Sequence, residues 1–239
     1  MTTLGIIGSG NIGTVVAKQA VAAGYDVVLA NSRGPESLRE KAAELGVRAG
    51  TAVEAATAGD IVVVTIPFGR YAELPAEQLA GKVVIDTLNY YPSRDGRIEE
   101  LDEEQVTTAE VVQRHLKDSR TVKTFNNITA AVHLDSLPRP SGAADRSALP
   151  LSGNDAEARA TVVELLDKLG WDAVDVGPLT ESWRHEPETA VYVDPYLGAG
   201  ITFEDLVGGA QDAGSPAPAA EIEKLIATAH RPPVRDRQF

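Results

Sequence analysis

The first half of the chain alternates short apolar runs with segments whose apolar residues recur three or four positions apart. Residues 4–7 form a short apolar strand. Residues 11–23 place Ile12, Val15, Val16, Ala20 and Ala23 on one helical face, and Gly24 closes that helix. Residues 26–31 predict a second strand, and residues 36–45 a short amphipathic helix stopped by Gly46. Residues 61–66 are a continuous, mostly β-branched run, the pattern of a strand covered on both faces, and Pro67 ends it. Residues 82–86 and 121–125 predict further strands on either side of a helix over 103–116. Strands separated by helices imply a parallel sheet with right-handed crossovers.

Beyond residue 134 the pattern changes. Residues 135–147 are rich in Pro, Ser and charge and read as a connection. A strand (149–152), a helix (155–169, with Asp155 near its cap and Gly170 as its stop) and another strand (172–176) follow. Residues 207–220 are loop-like, 221–230 predict a short helix, and the tail RPPVRDRQF is expected to fray. The 239 residues carry 22 Lys and Arg against 35 Asp and Glu, a net charge of −13, which argues against nucleic acid or an anionic membrane as partner. Zero cysteines remove disulfide and thiolate chemistry and fit a reducing cytoplasm, the expected location. No apolar run approaches the roughly 20 residues that span a bilayer. No metal site is expected, because none of the four histidines pairs at helical metal-ligand spacing.

Gly8-Ser9-Gly10-Asn11-Ile12-Gly13 spells G-x-G-x-x-G between the first strand and the first helix, the setting in which this motif holds a dinucleotide. Gly8 permits the tight turn, Gly10 lets backbone approach a pyrophosphate, and Gly13 lets helix and strand pack closely. The helix start adds unpaired N–H groups and the positive end of the helix dipole. The alternative is a glycine turn that binds nothing. After its second strand an NAD-binding chain carries Asp or Glu for the ribose hydroxyls, whereas this chain has Asn31-Ser32-Arg33-Gly34. A carboxylate would repel a 2′-phosphate; Arg33 attracts one through its planar fork, and Ser32 adds a donor. NADP(H) is therefore the expected cofactor, against the alternative that Arg33 is a solvated surface residue. The expected fold is α/β, a Rossmann-type doubly wound parallel sheet.

Ligands of open α/β sheets lie beyond the carboxyl ends of the strands. Thr65, Ile66 and Pro67 there offer backbone and apolar contacts to ribose and nicotinamide. The segments 86–91 and 125–128 bring Asn89, Asn126 and Asn127 with Tyr90 and Tyr91 toward the hydride end. Each residue alone is ordinary turn chemistry; their coincidence at several strand ends favours a site.

Together LGIIGSGNIG, NSRGPESL, VVVTIPF, DTLNYYPSRDG, VKTFNNITA and LSGNDAEARATVVELLDKLGWDAVDVGPLTES resemble the F420-dependent NADP oxidoreductase family, over most of residues 1–184. The resemblance implies a protein that passes hydride between NADP(H) and a 5-deazaflavin, coenzyme F420. It implies that Ser9, Asn11, Ile12, Ser32, Arg33 and residues 65–67 hold NADP, with the backbone from Asn127 to Ala130 near the nicotinamide. It also implies a division into an NADP-binding domain (1–148) and a small C-terminal α/β domain (149–239) that closes the acceptor cleft, and a homodimer. From Trp183 onward the sequence departs from the archaeal members, with RHEPETAVYVDPYLGAG in place of an apolar helix. The DTLNYYP stretch is also similar to the reductase domains of ferric and cupric reductases.

Hydride transfer between stacked rings needs proximity and a dry cleft more than an acid or base, so no catalytic dyad is expected. The expected partner is a small-molecule hydride acceptor, with Tyr90, Asn126, His133 and Trp183 as candidate contacts. Core packing is the alternative for Trp183. Lys123 falls inside a strand pattern and is expected to be structural. Two other functions stay open: NADPH-dependent reduction of a small carbonyl or imine, with Tyr90, Tyr91 or His133 as proton donor, and a non-catalytic NADP(H) sensor.

Overall fold

The structure, a computed structural model, describes residues 1–237. Strands β1 (Thr3–Ile7), β2 (Asp26–Ala30), β3 (Arg48–Gly50), β4 (Ile61–Val64), β5 (Val83–Asp86), β6 (Arg120–Lys123), β7 (Ala148–Gly153) and β8 (Asp172–Gly177) build one sheet. Their order is β3-β2-β1-β4-β5-β6-β7-β8. Every neighbouring pair is parallel except β6 and β7. The β4 sequence IVVV is buried at all four positions, because helices cover both faces of the sheet. On one face α1 (Asn11–Ala22) and the helix Ala156–Leu169 pack over Ile6, Leu29 and Val63. On the other, α3 (Ala52–Ala58) and the helix Thr108–His115 pack over Val62, Val84 and Phe68. Between β1 and β4 the chain reverses its direction of travel across the sheet, which leaves a crevice beyond their carboxyl ends.

The expected division at 148/149 does not separate two sheets. β7 hydrogen-bonds to β6, with Val122 opposite Gly153 and Lys123 opposite Ser152, so the C-terminal strands continue the first six. The physical reason is the edge of β6, whose backbone groups would otherwise lack partners. Leu149, Leu151 and Val162 accordingly belong to the same apolar cluster as Leu4 and Val122. The short strand β3 and α3 were not expected, and the helix expected over 103–116 begins only at Thr108. Capping boxes account for both helix starts. Thr51 accepts from the Glu54 N–H while Glu54 accepts from the Thr51 N–H, and Thr107 and Glu110 do the same.

The tail does not fray as expected. Arg231 donates to the carbonyls of Glu104 and Val106, at 2.9 and 2.8 Å. Arg237 is buried, 3.0 Å from Glu186. Gln238 and Phe239, the last residues of that expected tail, lie outside the described residues. No helix among the described residues is long and apolar enough to cross a membrane.

Thr107 also donates to the Leu179 carbonyl at 3.0 Å and is buried, so its hydroxyl serves a cap and a tertiary contact at once. Thr107→Ala is expected to cost about 1–3 kcal/mol, read as a lower urea midpoint with an unchanged m-value.

Candidate active site

The glycine loop is built by contact with its own neighbours. A β-carbon at Gly8, whose φ is +122°, would lie 2.1 Å from the Thr65 carbonyl oxygen, and one at Gly13 would lie 2.0 Å from the Gly8 oxygen. At Gly10 the same construction meets nothing within 4 Å. The first and third glycines are thus demanded by packing, and the second faces open space. α1 starts immediately after, with no side chain capping it and no acidic residue in its first turn. Its first N–H groups and its positive dipole end are therefore directed at that space. Lys41, from α2 (Arg39–Leu45), donates to the Ser9 carbonyl at 3.1 Å and steadies the loop from outside.

Two cavities open from Gly10 and share residues 65–67. The first, about 310 Å³, runs to the end of β2, where Ser32, Arg33 and Arg70 line it and no carboxylate does. Asn31 lines it too, but its side chain is occupied. Its Oδ1 accepts the Arg33 N–H at 3.0 Å and its amide donates to Ser37 at 2.9 Å, so it shapes the turn that presents Ser32 and Arg33. Arg70 stands on the 3-10 turn Phe68–Glu73, held by Glu73 at 2.8 Å. Sequence reasoning missed it; its only signal was a basic residue just past the end of β4.

The second cavity, about 340 Å³, passes Asn11, Ile12 and Ala130 and reaches Thr87, Asn89, Tyr91, Arg94, Asn126 and Tyr192. Asn89 and Asn126 interlock: the Asn89 amide donates to the Asn126 carbonyl at 2.7 Å, and the Asn126 amide donates to Asn89 Oδ1 at 3.2 Å. The Asn126 amide also donates to the His185 carbonyl at 2.7 Å. Its Oδ1 must then accept from His185 Nδ1, 2.9 Å away, which leaves Nε2 to accept from the Ser152 hydroxyl at 3.0 Å. Burial, together with the Lys123 charge, pushes the His185 pKa down to about 3, so the ring is neutral. Behind it lies Glu186. Burial alone would raise its carboxyl, but the charges of Arg237 and Lys123 and hydrogen bonds from Thr108 and Arg237 hold it down to about 2.

Four expected contacts are placed elsewhere. Tyr90 is buried in the core with its hydroxyl 2.9 Å from both the Gly96 carbonyl and Asp102. Consecutive residues in extended chain point to opposite sides, so Tyr91 takes the cavity. The Asn127 side chain is fully buried and donates to the Val191 carbonyl, at 2.9 Å, and to Tyr196. His133 is fully buried between Thr129 (2.8 Å) and Asp212 (2.9 Å), in the π-turn Ala130–Leu134, whose first residue reaches the cavity. Trp183 is half-buried outside the cavity, with the Arg184 guanidinium 4.5 Å from its ring centre. Lys123 is buried as expected, 3.4 Å from Asp86 and donating to the Leu88 carbonyl at 2.5 Å. Thr87 lies in the 86–91 segment expected at the hydride end and Tyr192 in the RHEPETAVYVDPYLGAG stretch, though neither was singled out there, and Arg94 had no role in the sequence reading. Tyr192 reaches the cavity only through chain folding across 101 residues from Tyr91.

Residues 3–90 match the family described as NADP oxidoreductase, coenzyme F420-dependent. An F420-dependent NADP reductase of Methanocaldococcus jannaschii is 30% identical over 199 residues, 74% of this chain and 82% of that protein. The chain belongs to the F420-dependent NADP oxidoreductase family. The rat metalloreductase STEAP3 is 29% identical over 184 residues, 75% of this chain but 34% of its own, so the chain spans about a third of that relative. The crystal structure of the hypothetical protein SMa0349 of Sinorhizobium meliloti superposes with a TM-score of 0.67 at 31% identity, covering 79% of this chain and 91% of that one. An imine reductase of Bacillus cereus, at 18% identity and a TM-score of 0.55, shares the fold. Membership of this NADP-dependent oxidoreductase family accords with a cavity that joins a glycine loop to a basic pocket.

The buried imidazole makes stability depend on pH. His185 takes up a proton in the unfolded chain near its ordinary 6.5 but only near about 3 when folded, so its contribution is complete above 6.5 and shrinks as the pH falls toward 3. Urea unfolding of the wild type at about pH 7 and about pH 4 is expected to show this loss, and His185→Gln to flatten it. Equal slopes in the two proteins would contradict the assignment.

Proposed function

We propose that the protein binds NADP(H) and moves hydride between it and a deazaflavin, coenzyme F420, or a flavin-like acceptor. The observation that carries this reading is the open space over Gly10. It runs one way to Ser32, Arg33 and Arg70, and the other way to the polar cavity at Asn89, Tyr91 and Asn126. The residues fit the cofactor. The uncapped start of α1 and the backbone of Ser9, Gly10, Asn11 and Ile12 suit a pyrophosphate. Arg33 and Arg70 suit a 2′-phosphate, and Ser32 adds a hydroxyl. Residues 65–67 lie between the two cavities and suit the ribose and nicotinamide. When bound, the dihydronicotinamide supplies the hydride. Leu88, Phe125 and Ile128 in the cavity wall exclude water from the place where two rings would stack.

Calorimetry should show NADPH binding well ahead of NADH. Arg33→Ala should lower that preference roughly 10- to 100-fold, the value of one charge-assisted hydrogen bond, and Arg70→Ala should lower it in the same direction. An unchanged preference in both variants removes them from the phosphate pocket. Mixing NADPH with F420, FMN, FAD or a panel of carbonyls, and following the nicotinamide absorbance, tests the acceptor. Turnover with carbonyls alone selects carbonyl or imine reduction, and tight NADPH binding without turnover selects a sensor.

A further inference from the structure

Tyr91 and Tyr192 meet hydroxyl to hydroxyl at 2.5 Å in the wall of the second cavity. Tyr91 comes from the loop after β5 and Tyr192 from the C-terminal segment, so the pair bridges the cavity. The backbone that delivers Tyr192 is strained. Glu188 has a φ of 68° and Val193 a φ of 65°, a left-handed conformation that a β-branched residue rarely adopts. Strain of this kind persists only where surrounding contacts over-determine it. Here Asn127 supplies those contacts from both ends: its carbonyl accepts the Val193 N–H at 2.9 Å and its amide donates to the Val191 carbonyl at 2.9 Å. The two residues flanking Tyr192 are thus pinned, and the ring between them is held toward Tyr91. Phe203 backs it edge-on at 6.0 Å.

The surroundings distinguish the two hydroxyls. The Arg94 guanidinium lies 4.7 Å from the centre of the Tyr91 ring while donating to the Asn89 carbonyl at 2.7 Å and to Asp95. Burial raises the pKa of both tyrosines. Hydrogen bonding from Tyr192 and the charge of Arg94 draw Tyr91 back, whereas for Tyr192 the neighbouring Tyr91 adds to the rise. The Asn89 amide also donates to the Tyr91 oxygen, at 3.4 Å, so with Tyr192 as donor in the shared hydrogen bond the Tyr91 O–H is left to point into the cavity.

From this geometry we infer that Tyr91 is the proton donor to the hydride acceptor and that Tyr192 is the positioning residue that stabilises its phenolate. The acceptor is then of a class whose displaced electron pair comes to rest on nitrogen or oxygen, such as a conjugated imine or carbonyl in an uncharged ring. The inference rests on the proposed reading of the cavity as the meeting place of NADPH and acceptor. In the step, the dihydronicotinamide would lose a C–H bond and two electrons, and a bond to hydrogen would form at the acceptor carbon, or at the ring nitrogen that takes its place in a flavin. The acceptor's π pair moves to its nitrogen or oxygen, and the Tyr91 O–H bond breaks to protonate that atom. Tyr192 donates to the resulting phenolate until a proton from water restores it.

The test compares two hydride acceptors. One is whichever of F420, FMN or a carbonyl the wild type reduces; the other is N-methylacridinium, a cation that takes hydride and no proton. Tyr91→Phe is expected to lower the rate with the neutral acceptor, relative to the acridinium, about 100-fold, and Tyr192→Phe roughly 10-fold. In the ligand-free protein, tyrosinate absorbance titration reads the pair directly. The ionisation that disappears in Tyr91→Phe should move upward by about one pH unit in Tyr192→Phe. Retained NADPH affinity by calorimetry, with an unchanged rate ratio in Tyr91→Phe or an unmoved ionisation in Tyr192→Phe, overturns the dyad alone. A wild type that does not bind NADPH, or binds it and reduces no neutral acceptor, overturns the site reading and the dyad with it.

Discussion

The seating of α1 on the ends of β1 and β4 depends on two missing β-carbons. The Thr65 carbonyl occupies the space of one, at residue 8, and the Gly8 carbonyl occupies the space of the other, at residue 13. Any side chain at either position would push the helix off the sheet, because backbone cannot yield as a flexible side chain can. This close approach leaves the first N–H groups of α1 facing the crevice beside residue 10, with no side chain among the described residues capping them. These free N–H groups are therefore a by-product of packing, and Ser32, Arg33 and Arg70 line the cavity to one side of them.

A second constraint holds the other side. The C-terminal half meets the sheet through a polar seam: Ser152, His185, Asn126 and Asn89 in one chain of hydrogen bonds, and Asn127 to Val191 and Val193 in another. The ion pair of Glu186 and Arg237, fed also by Thr108, closes it from beneath. Such a seam adds little net stability over apolar packing, but removing one partner leaves a buried charge or amide unpaired at a cost of about 3–5 kcal/mol for the charge. Its geometric tolerance is narrow, so it fixes where Tyr192 stands against Tyr91. A purely apolar contact would permit sliding, and with it a looser cavity.

Much of this was legible in the chain. Apolar periodicity located seven of the eight strands, and G-x-G-x-x-G with Asn31-Ser32-Arg33 pointed to residues that line one cavity. The missed α3 and the late start of the helix at Thr108 also had a local signal, the T-x-x-E capping boxes at 51–54 and 107–110. After β5 the sequence pointed to both tyrosines and chose Tyr90 as the acceptor contact, whereas the structure buries Tyr90 and gives the cavity Tyr91. The placements of His133, Asn127 and Trp183 had no such signal. Each is decided by a partner far along the chain or by the packing of the C-terminal segment.

The boundary between the two kinds of information is physical. Residue order alone pointed to the parallel sheet, the glycine-rich turn after β1 and the basic segment after β2, because these arise from local periodicity, from glycine's missing side chain and from the sign of a charge. Only the tertiary structure decided that β7 joins β6 in a single sheet, that the tail is buried through Arg237, and that Tyr192 faces Tyr91. Those outcomes come from backbone pairing and buried hydrogen bonds between segments distant in the chain, where each residue's role is set by what it meets.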